Sequence, residues 1–250
     1  MKKVLKWTGI SLSVLLIGLA LFGWWMNEPR PRGLPAAEAD ELAFKMLRAV
    51  DKSAWDTTRF LQWSFPGGHD YLWDKSRDLV AVTWKDNRVL LRTRSVTGKA
   101  FTAGRAVSGE AADRLIQKAW AIFCNDSWWL IAPYKVFDPG TQRSLVTLED
   151  GRQGLMVEYA SGGVTPGDAY VWLLDESGLP VSYKMWVKIL PVGGLEFAWE
   201  DWQTLQTGAR IAAVRKGPWT LSIGKISGAA SLAGVGLTED PFAELGEQDD

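Results

Sequence analysis

The chain has 250 residues, with 28 Lys and Arg against 29 Asp and Glu, one His, one Cys and 15 Trp. A charge balance so near zero excludes the basic stripe of a nucleic-acid binder, and a single Cys with a single His excludes an internal disulfide and a Cys/His metal centre. Many large rings beside so few nucleophiles and bases point to a protein that encloses apolar surface, each Trp burying roughly 150–250 Å².

Lys2, Lys3 and Lys6 precede an uncharged run from Trp7 to Met26. As helix this run reaches about 30 Å, the thickness of bilayer hydrocarbon. Trp7 stands at one end and Trp24-Trp25 at the other, where indoles prefer the interface. The expectation for residues 1–26 is an N-terminal transmembrane anchor or signal segment. Uncleaved, it leaves a single-pass inner-membrane protein whose body faces the periplasm; cleaved near Gly18-Leu19-Ala20, it leaves a soluble periplasmic one. Residues 27–35, with three prolines, read as an extended linker.

From Ala36 to Lys52 the period turns helical, with Leu42, Met46, Ala49 and Val50 on one face. Thr58–Phe65 reads as a strand with Leu61, Trp63 and Phe65 on one side. A two-residue loop at Asp86-Asn87 would oppose Trp84 to Val89 and Val82 to Leu91, uniting four apolar residues on one face. Ser108 is placed to cap a helix over Gly109–Phe123 whose stripe is Ala112, Leu115, Ile116, Ala119, Trp120 and Phe123. Strands are expected over Trp128–Ala132, Ser144–Glu149, Gly154–Tyr159, Ala169–Leu174, Val181–Ile189 and Leu195–Gln203. Asp150-Gly151 turns a hairpin, and Gly162-Gly163 and Gly193-Gly194 sit at further turns. Val181, Tyr183, Met185, Val187 and Ile189 alternate with Ser182, Lys184, Trp186 and Lys188, which makes Trp186 an exposed or cation–π ring. The acidic stretch 229–250 reads as a flexible tail. The class is α+β with a large antiparallel sheet, and the body spans 36–228.

Chemistry-bearing patterns are sparse. His69-Asp70 is the one pairing that could anchor acid–base catalysis, with Cys124 or a serine as nucleophile, but Gly67-Gly68 makes it a turn-side histidine first. Asn125-Asp126-Ser127 reads as a helix-ending turn. There is no GxSxG, no HExxH and no phosphate-cradling loop. No catalytic residue, cofactor or metal site is therefore assigned. The aromatic set Trp63, Phe65, Trp84, Trp172, Phe197 and Trp199 carries two readings: the protein's own core, or the wall of an apolar cavity. An acyl chain entering such a cavity would gain about 0.8 kcal/mol per CH₂.

The run Ala169-Tyr-Val-Trp-Leu-Leu-Asp175-Glu-Ser-Gly-Leu-Pro180-Val181 resembles the periplasmic lipoprotein carriers and outer-membrane lipoprotein receptors of the Lol system. It is a strand ending in Asp, a Ser-Gly-Leu-Pro turn and a strand with alternating polar residues. Helix, paired strands, mid-chain helix and long meander follow in the same order. The resemblance implies an unclosed antiparallel half-barrel around an apolar cavity, with helices on or in its concave face. It also implies non-catalytic binding of lipid or lipoprotein acyl chains. On this reading the six aromatic residues face the cavity, and the helix bearing Leu115, Ile116, Trp120 and Phe123 is the lid. The membrane is the other partner, through residues 7–26. The alternatives are an envelope protein–protein interaction module whose core is self-filled, and a hydrolase using His69.

Overall fold

A computed structural model describes residues 7, 18, 23, 27–34, 36–161 and 166–246. The expected anchor over 1–26, apart from Trp7, Gly18 and Gly23, lies outside the described residues, as do the Gly162-Gly163 turn and residues 247–250. Among the described residues no helix is long and apolar enough to cross a membrane.

Among the described residues from 36 onward the α-helices are α1 (Ala37–Ala49), α2 (Lys52–Thr57) and α3 (Gly109–Ile131). The first sheet contains β1 (Phe60–Phe65), β2 (His69–Asp74), β3 (Leu79–Trp84), β4 (Asn87–Arg92), β5 (Thr97–Thr102) and β6 (Arg105–Val107). The second contains β7 (Thr141–Thr147), β8 (Gln153–Tyr159), β9 (Ala169–Leu174), β10 (Pro180–Trp186), β11 (Leu195–Thr204), β12 (Arg210–Lys216) and β13 (Thr220–Ser222). The last strand, β14 (Gly224–Ala229), returns to pair with β1 in the first sheet.

Each sheet is a seven-stranded antiparallel meander, ordered β14-β1-β2-β3-β4-β5-β6 and β13-β12-β11-β10-β9-β8-β7. Only Ile223 separates β13 from β14, so the two sheets adjoin there. Helix α3 connects the opposite edges, β6 and β7. The fold is thus an unclosed half-barrel of α+β class, its strands divided between two sheets, with α3 lying across the inner face. Ala112, Ile116, Ala119 and Phe123 of α3 pack with Trp63, Trp84, Val82, Val89 and Leu91 of the first sheet. One turn further, Trp128 and Trp129 pack on Leu155, Tyr170, Trp172, Tyr183, Phe197 and Trp199 of the second.

The Asp175–Pro180 turn shows how the sequence sets local geometry. Asp175 Oδ1 accepts from the Ser177 hydroxyl (2.6 Å) and the Leu179 amide (2.9 Å). Gly178 takes φ +92°, where a Cβ would run into the Lys45 side chain and carbonyl, so this turn sits directly on α1.

Several expectations are corrected. Helix α3 does not stop at Phe123, and Trp128–Ala132 is not a strand. An apolar run this short has no period of its own, and no breaker stands before Pro133, which opens a 3-10 turn over Ala132–Lys135. Asn125-Asp126-Ser127 is therefore helix interior. The β3–β4 loop is Lys85-Asp86, with Lys85 at φ 48°, and pairs Trp84 with Asn87 and Val82 with Val89. Strand β5 captures Asn87: it pairs with Thr102, whose hydroxyl donates to Asn87 Oδ1 at 2.8 Å. Because the register moves by two, the four residues keep their shared face. In β10 a bulge at Pro180–Ser182 turns Val181 outward (45% exposed), and the strand ends at Trp186, before Ile189. Strands β2, β5, β6 and β12–β14 had no assignment from the sequence, helix α2 had none of its own, and His69, read as turn-side, opens β2.

The segments 27–34 and 230–246 are strapped to the sheets from outside. Glu28 donates its amide to the Gly193 carbonyl (3.1 Å) and pairs with Lys184 (2.5 Å), Arg30 pairs with Glu158, and Leu34 exchanges backbone bonds with Leu145 of β7. Trp186 is a half-buried ring on this outer face, not a free one. Its indole donates to the Glu28 carbonyl at 2.8 Å, and it packs on Val146, Leu148, Met156, Val171 and Leu173. At the other end, the stretch from 229 to 246 is docked rather than flexible: Phe242, 2% exposed, fills a site among Leu79, Ala81 and Leu90. Asp240 holds Arg77 through two bonds (2.7 and 2.8 Å), and Arg77 in turn holds the buried Asp74.

Two outcomes follow. Phe242→Ala should cost about 3 kcal/mol in urea unfolding, the loss typical of a large buried ring; a change within about 0.5 kcal/mol would show the segment undocked. Burial alone would raise the Asp74 carboxyl, but bonds from Arg59, Arg77 and Ser76 outweigh it and hold it down to about 2. Its folded pKa thus lies below the unfolded value near 3.9, so its contribution is complete above pH 4 and is lost as pH falls toward 2. Asp74→Asn should flatten the fall in stability across that window, measured by thermal unfolding at each pH.

Candidate functional site

The inner face is a continuous aromatic surface under α3. Trp63 (1% exposed) and Trp84 (3%) line its first-sheet half with the partly buried Phe65. Trp172 and Phe197, both fully buried, and Trp199 line its second-sheet half. The six residues singled out from the sequence therefore do share one side, but in two groups on two sheets. Partly buried Trp129 and Trp202 belong to both. The stripe of α3 lies against the first group: Ile116 and Phe123 are buried, Leu115 and Trp120 half-buried.

The rings contact one another closely. Trp172 meets Trp199 at 5.1 Å and Tyr183 at 5.2 Å, both edge to face, and Trp129 meets Phe197 at 5.2 Å. On the first sheet Trp63 stacks on Tyr71 at 4.4 Å, and Phe123 of α3 meets Trp73 edge-on at 5.4 Å. Such pairs each contribute about 0.5–1.5 kcal/mol beyond area burial. A cleft of about 510 Å³, lined by Arg88, Leu237, Asp240 and Glu244 among others, lies elsewhere, beneath the C-terminal segment. Its one lining residue on the sheet, Arg88, shares the parity of the outward Leu90 and alternates with the inward Val89 and Leu91, so it opens on the other side of the sheet.

Within this apolar layer α3 is tied to both sheets by polar groups only three residues apart. Asp126, 2% exposed, accepts from the Tyr71 hydroxyl at 2.5 Å and lies 2.7 Å from His69 Nδ1, both on β2. Its other oxygen accepts from Asn125 Nδ2 at 2.9 Å. The Trp129 carbonyl accepts from Arg215 Nη2 (2.5 Å) on β12. Arg215 is fully buried, lies 3.4 Å over the Trp199 ring, and also donates to the Ala212 and Val214 carbonyls. Burial pulls its guanidinium down to about 9, against the opposing pull of Tyr183, so at neutral pH it is a buried cation. No ion pair reaches it among the described residues. Just past the helix, the Tyr134 hydroxyl lies 2.7 Å from the carbonyls of both Val50 and Arg210.

The inner face is also rich in donors that nothing accepts. The indole N–H groups of Trp63, Trp73, Trp128, Trp172 and Trp199, the Tyr183 hydroxyl and Arg215 Nε are buried without a partner. Burial drives the Tyr183 pKa upward, so the hydroxyl keeps its proton.

The residues weighed for hydrolysis are dispersed. Asp70 is turned to Ser64 and toward Lys225, so His69 takes Asp126 instead. Cys124 is half-buried and its thiol is pushed up to about 12 by burial, which keeps it protonated and poorly nucleophilic. Among the described residues no group of His, Cys, Asp and Glu could hold a metal. Sequence reading missed Asp126, Trp128, Trp129 and Arg215. Asp126 at three residues after Phe123 continues the helical stripe, a signal masked by its charge; Arg215, on an unassigned strand, left no comparable trace.

No family model matches the chain, and no curated protein matches it. Among solved structures, the crystal structure of a DUF1329 family protein from Desulfovibrio piger is similar over 84% of this chain and 99% of that chain, at 11% identity and a TM-score of 0.39. At that score the fold assignment rests on the strand topology itself.

Asp126→Ala should destabilise the fold by about 3 kcal/mol, because it strands the Tyr71 hydroxyl and His69 and unties α3 from β2. A double-mutant cycle with Tyr71→Phe should show coupling above about 0.5 kcal/mol. Additive losses would mean the two groups act independently.

Proposed function

We propose that the protein binds a lipid or acylated ligand without catalysis, between α3 and the inner aromatic face, as the periplasm-facing body of a membrane-anchored chain. The observation that carries this reading is the concentration of unpartnered donors on that face. Each buried donor without an acceptor costs about 1–3 kcal/mol, and folded proteins pair nearly all of them. An amphiphile would bring what the wall lacks: ester or carboxylate oxygens for the indoles, Tyr183 and Arg215, and methylene groups for the rings. Its entry would displace α3, which is held by a narrow set of polar ties and otherwise by apolar contacts that an acyl chain can replace.

A second reading is an envelope interaction module whose core is its own. The mutual packing of Trp172, Tyr183, Phe197 and Trp199, each at most 3% exposed, favours it.

Native mass spectrometry of the full chain, released from detergent micelles, separates the two. One acylated molecule should stay bound under activation that strips detergent, and Arg215→Met should lower its retention while the fold persists. A chain that emerges folded and empty supports the interaction module instead.

A further inference from the structure

The second sheet carries an exposed apolar and basic rim at one end. In an antiparallel run the β10–β11 connection (187–194) and the β12–β13 turn (217–219) lie at the same end of the sheet. Ile189 is 68% exposed in the first and Trp219 is 45% exposed in the second, where it stands edge-on to Phe197 at 4.7 Å. Lys188, Pro191, Lys216 and Pro218 are exposed beside them. The carboxylates at this end are engaged inward: Glu28 with Lys184, and Asp168 with the Lys188 amide at 3.0 Å. Among the described residues of the β10–β11 and β12–β13 connections, those named outward are a Trp, an Ile, two prolines and two lysines.

The N-terminal strap decides what this rim faces. Asn27 Oδ1 accepts from the Gly193 amide (2.9 Å), and the Glu28 amide donates to the Gly193 carbonyl. A Cβ built on Gly23 would stand 4.0 Å from Val192. Asn27, the residue that follows the uncharged run in sequence, and Gly23 within that run therefore both stand at the β10–β11 connection.

We propose that this rim, Ile189 and Trp219 flanked by Lys188 and Lys216, docks on the lipid headgroup layer of the membrane that holds residues 7–26. The proposal rests on the anchor part of the functional reading, and adds to it a fixed posture of the body on the bilayer. An exposed indole and an aliphatic side chain framed by lysines match the chemistry of that layer: rings sit among the headgroups, and ammonium groups meet phosphates. With the strap holding the rim where the anchor emerges, docking places β10–β13 against the bilayer and leaves the first sheet away from it.

The test uses the full chain with Cys124→Ser, reconstituted in phosphatidylglycerol/phosphatidylcholine vesicles, with an environment-sensitive fluorophore on Ile189→Cys, Trp219→Cys or, as a reference, Ser95→Cys in the first sheet. Labels at 189 and 219 should emit at shorter wavelength than the label at 95 and lose emission to lipids spin-labelled near the headgroup, whereas the label at 95 should do neither. Chains that float with the vesicles while the labels at 189 and 219 behave like that at 95 overturn the docking and leave the anchor standing. Chains that do not float with the vesicles overturn the anchor, and the docking with it.

Discussion

Everything in this fold depends on covering one aromatic surface. Fourteen strands in two meanders present Trp63, Trp84, Trp172, Tyr183, Phe197 and Trp199 to the same side. The two sheets meet on that side only near their junction, where Ile211 and Leu221 share a cluster with Leu61 and Trp63, and the rest of it needs a cover. Helix α1 shares the second sheet's inner face through Ala39, Ala43 and Met46, while helix α3, running from the β6 edge to the β7 edge, reaches both. That explains its length and its two-part contacts: aliphatic residues and Phe123 over the first sheet, paired tryptophans over the second. It also explains why its fixings cluster near one place. Asp126 reaches the first sheet and the Trp129 carbonyl reaches the second, near the junction of the two packing clusters.

Those fixings place charge where charge is costly. Asp126 is compensated by Tyr71, His69 and Asn125, so removing a partner is expected to cost more than the bond itself. Among the described residues Arg215 donates only to carbonyls, beside the Trp199 ring and with Tyr183 near it. A fully buried guanidinium satisfied by dipoles alone is a poor stabiliser, and a methionine of similar volume would avoid its desolvation cost. Its retention is physically reasonable if it receives an acidic or carbonyl-bearing guest, which joins it to the unpartnered indoles as parts of one donor-rich wall.

The outer faces follow the same logic in reverse. The first sheet's outer residues Leu79, Ala81 and Leu90 are closed by Phe242, and the second sheet's outer residues Val146, Met156 and Val171 by Trp186 together with the strap from Asn27 to Leu34. Both sheets are thus buried on both sides. Their strands accordingly read as near-continuous apolar runs, such as Leu79–Val82 and Ala169–Leu173, rather than as clean alternation. The straps carry polar ties: Asp240 to Arg77 is partly exposed at the solvent boundary, and Glu28 to Lys184 is more deeply covered beneath the strap.

The sequence by itself determined the α+β class, the antiparallel pairing, the inward parity of Leu61, Trp63, Val82, Trp84, Tyr183 and Met185, and the helical stripe of Leu115 to Phe123. These are local properties: a two-residue or 3.6-residue period fixes which side a side chain takes, whatever the neighbours. Tertiary structure decided what periodicity cannot carry. The strands were divided between two sheets by the passage of β14 back to β1. Helix α3 was prolonged through an apolar run that fits either period, because a second sheet stood there to be covered. The β3–β4 register was set by a third strand. The stretch from 230 to 246 was docked by Val235 beside Phe60 and by Phe242 in a site assembled from β3 and β4. Asp126 and Arg215 acquired the bonds that tie α3 to the two sheets only when segments more than fifty residues away arrived beside them, and such a tie has no signature in sequence until its partners are in place.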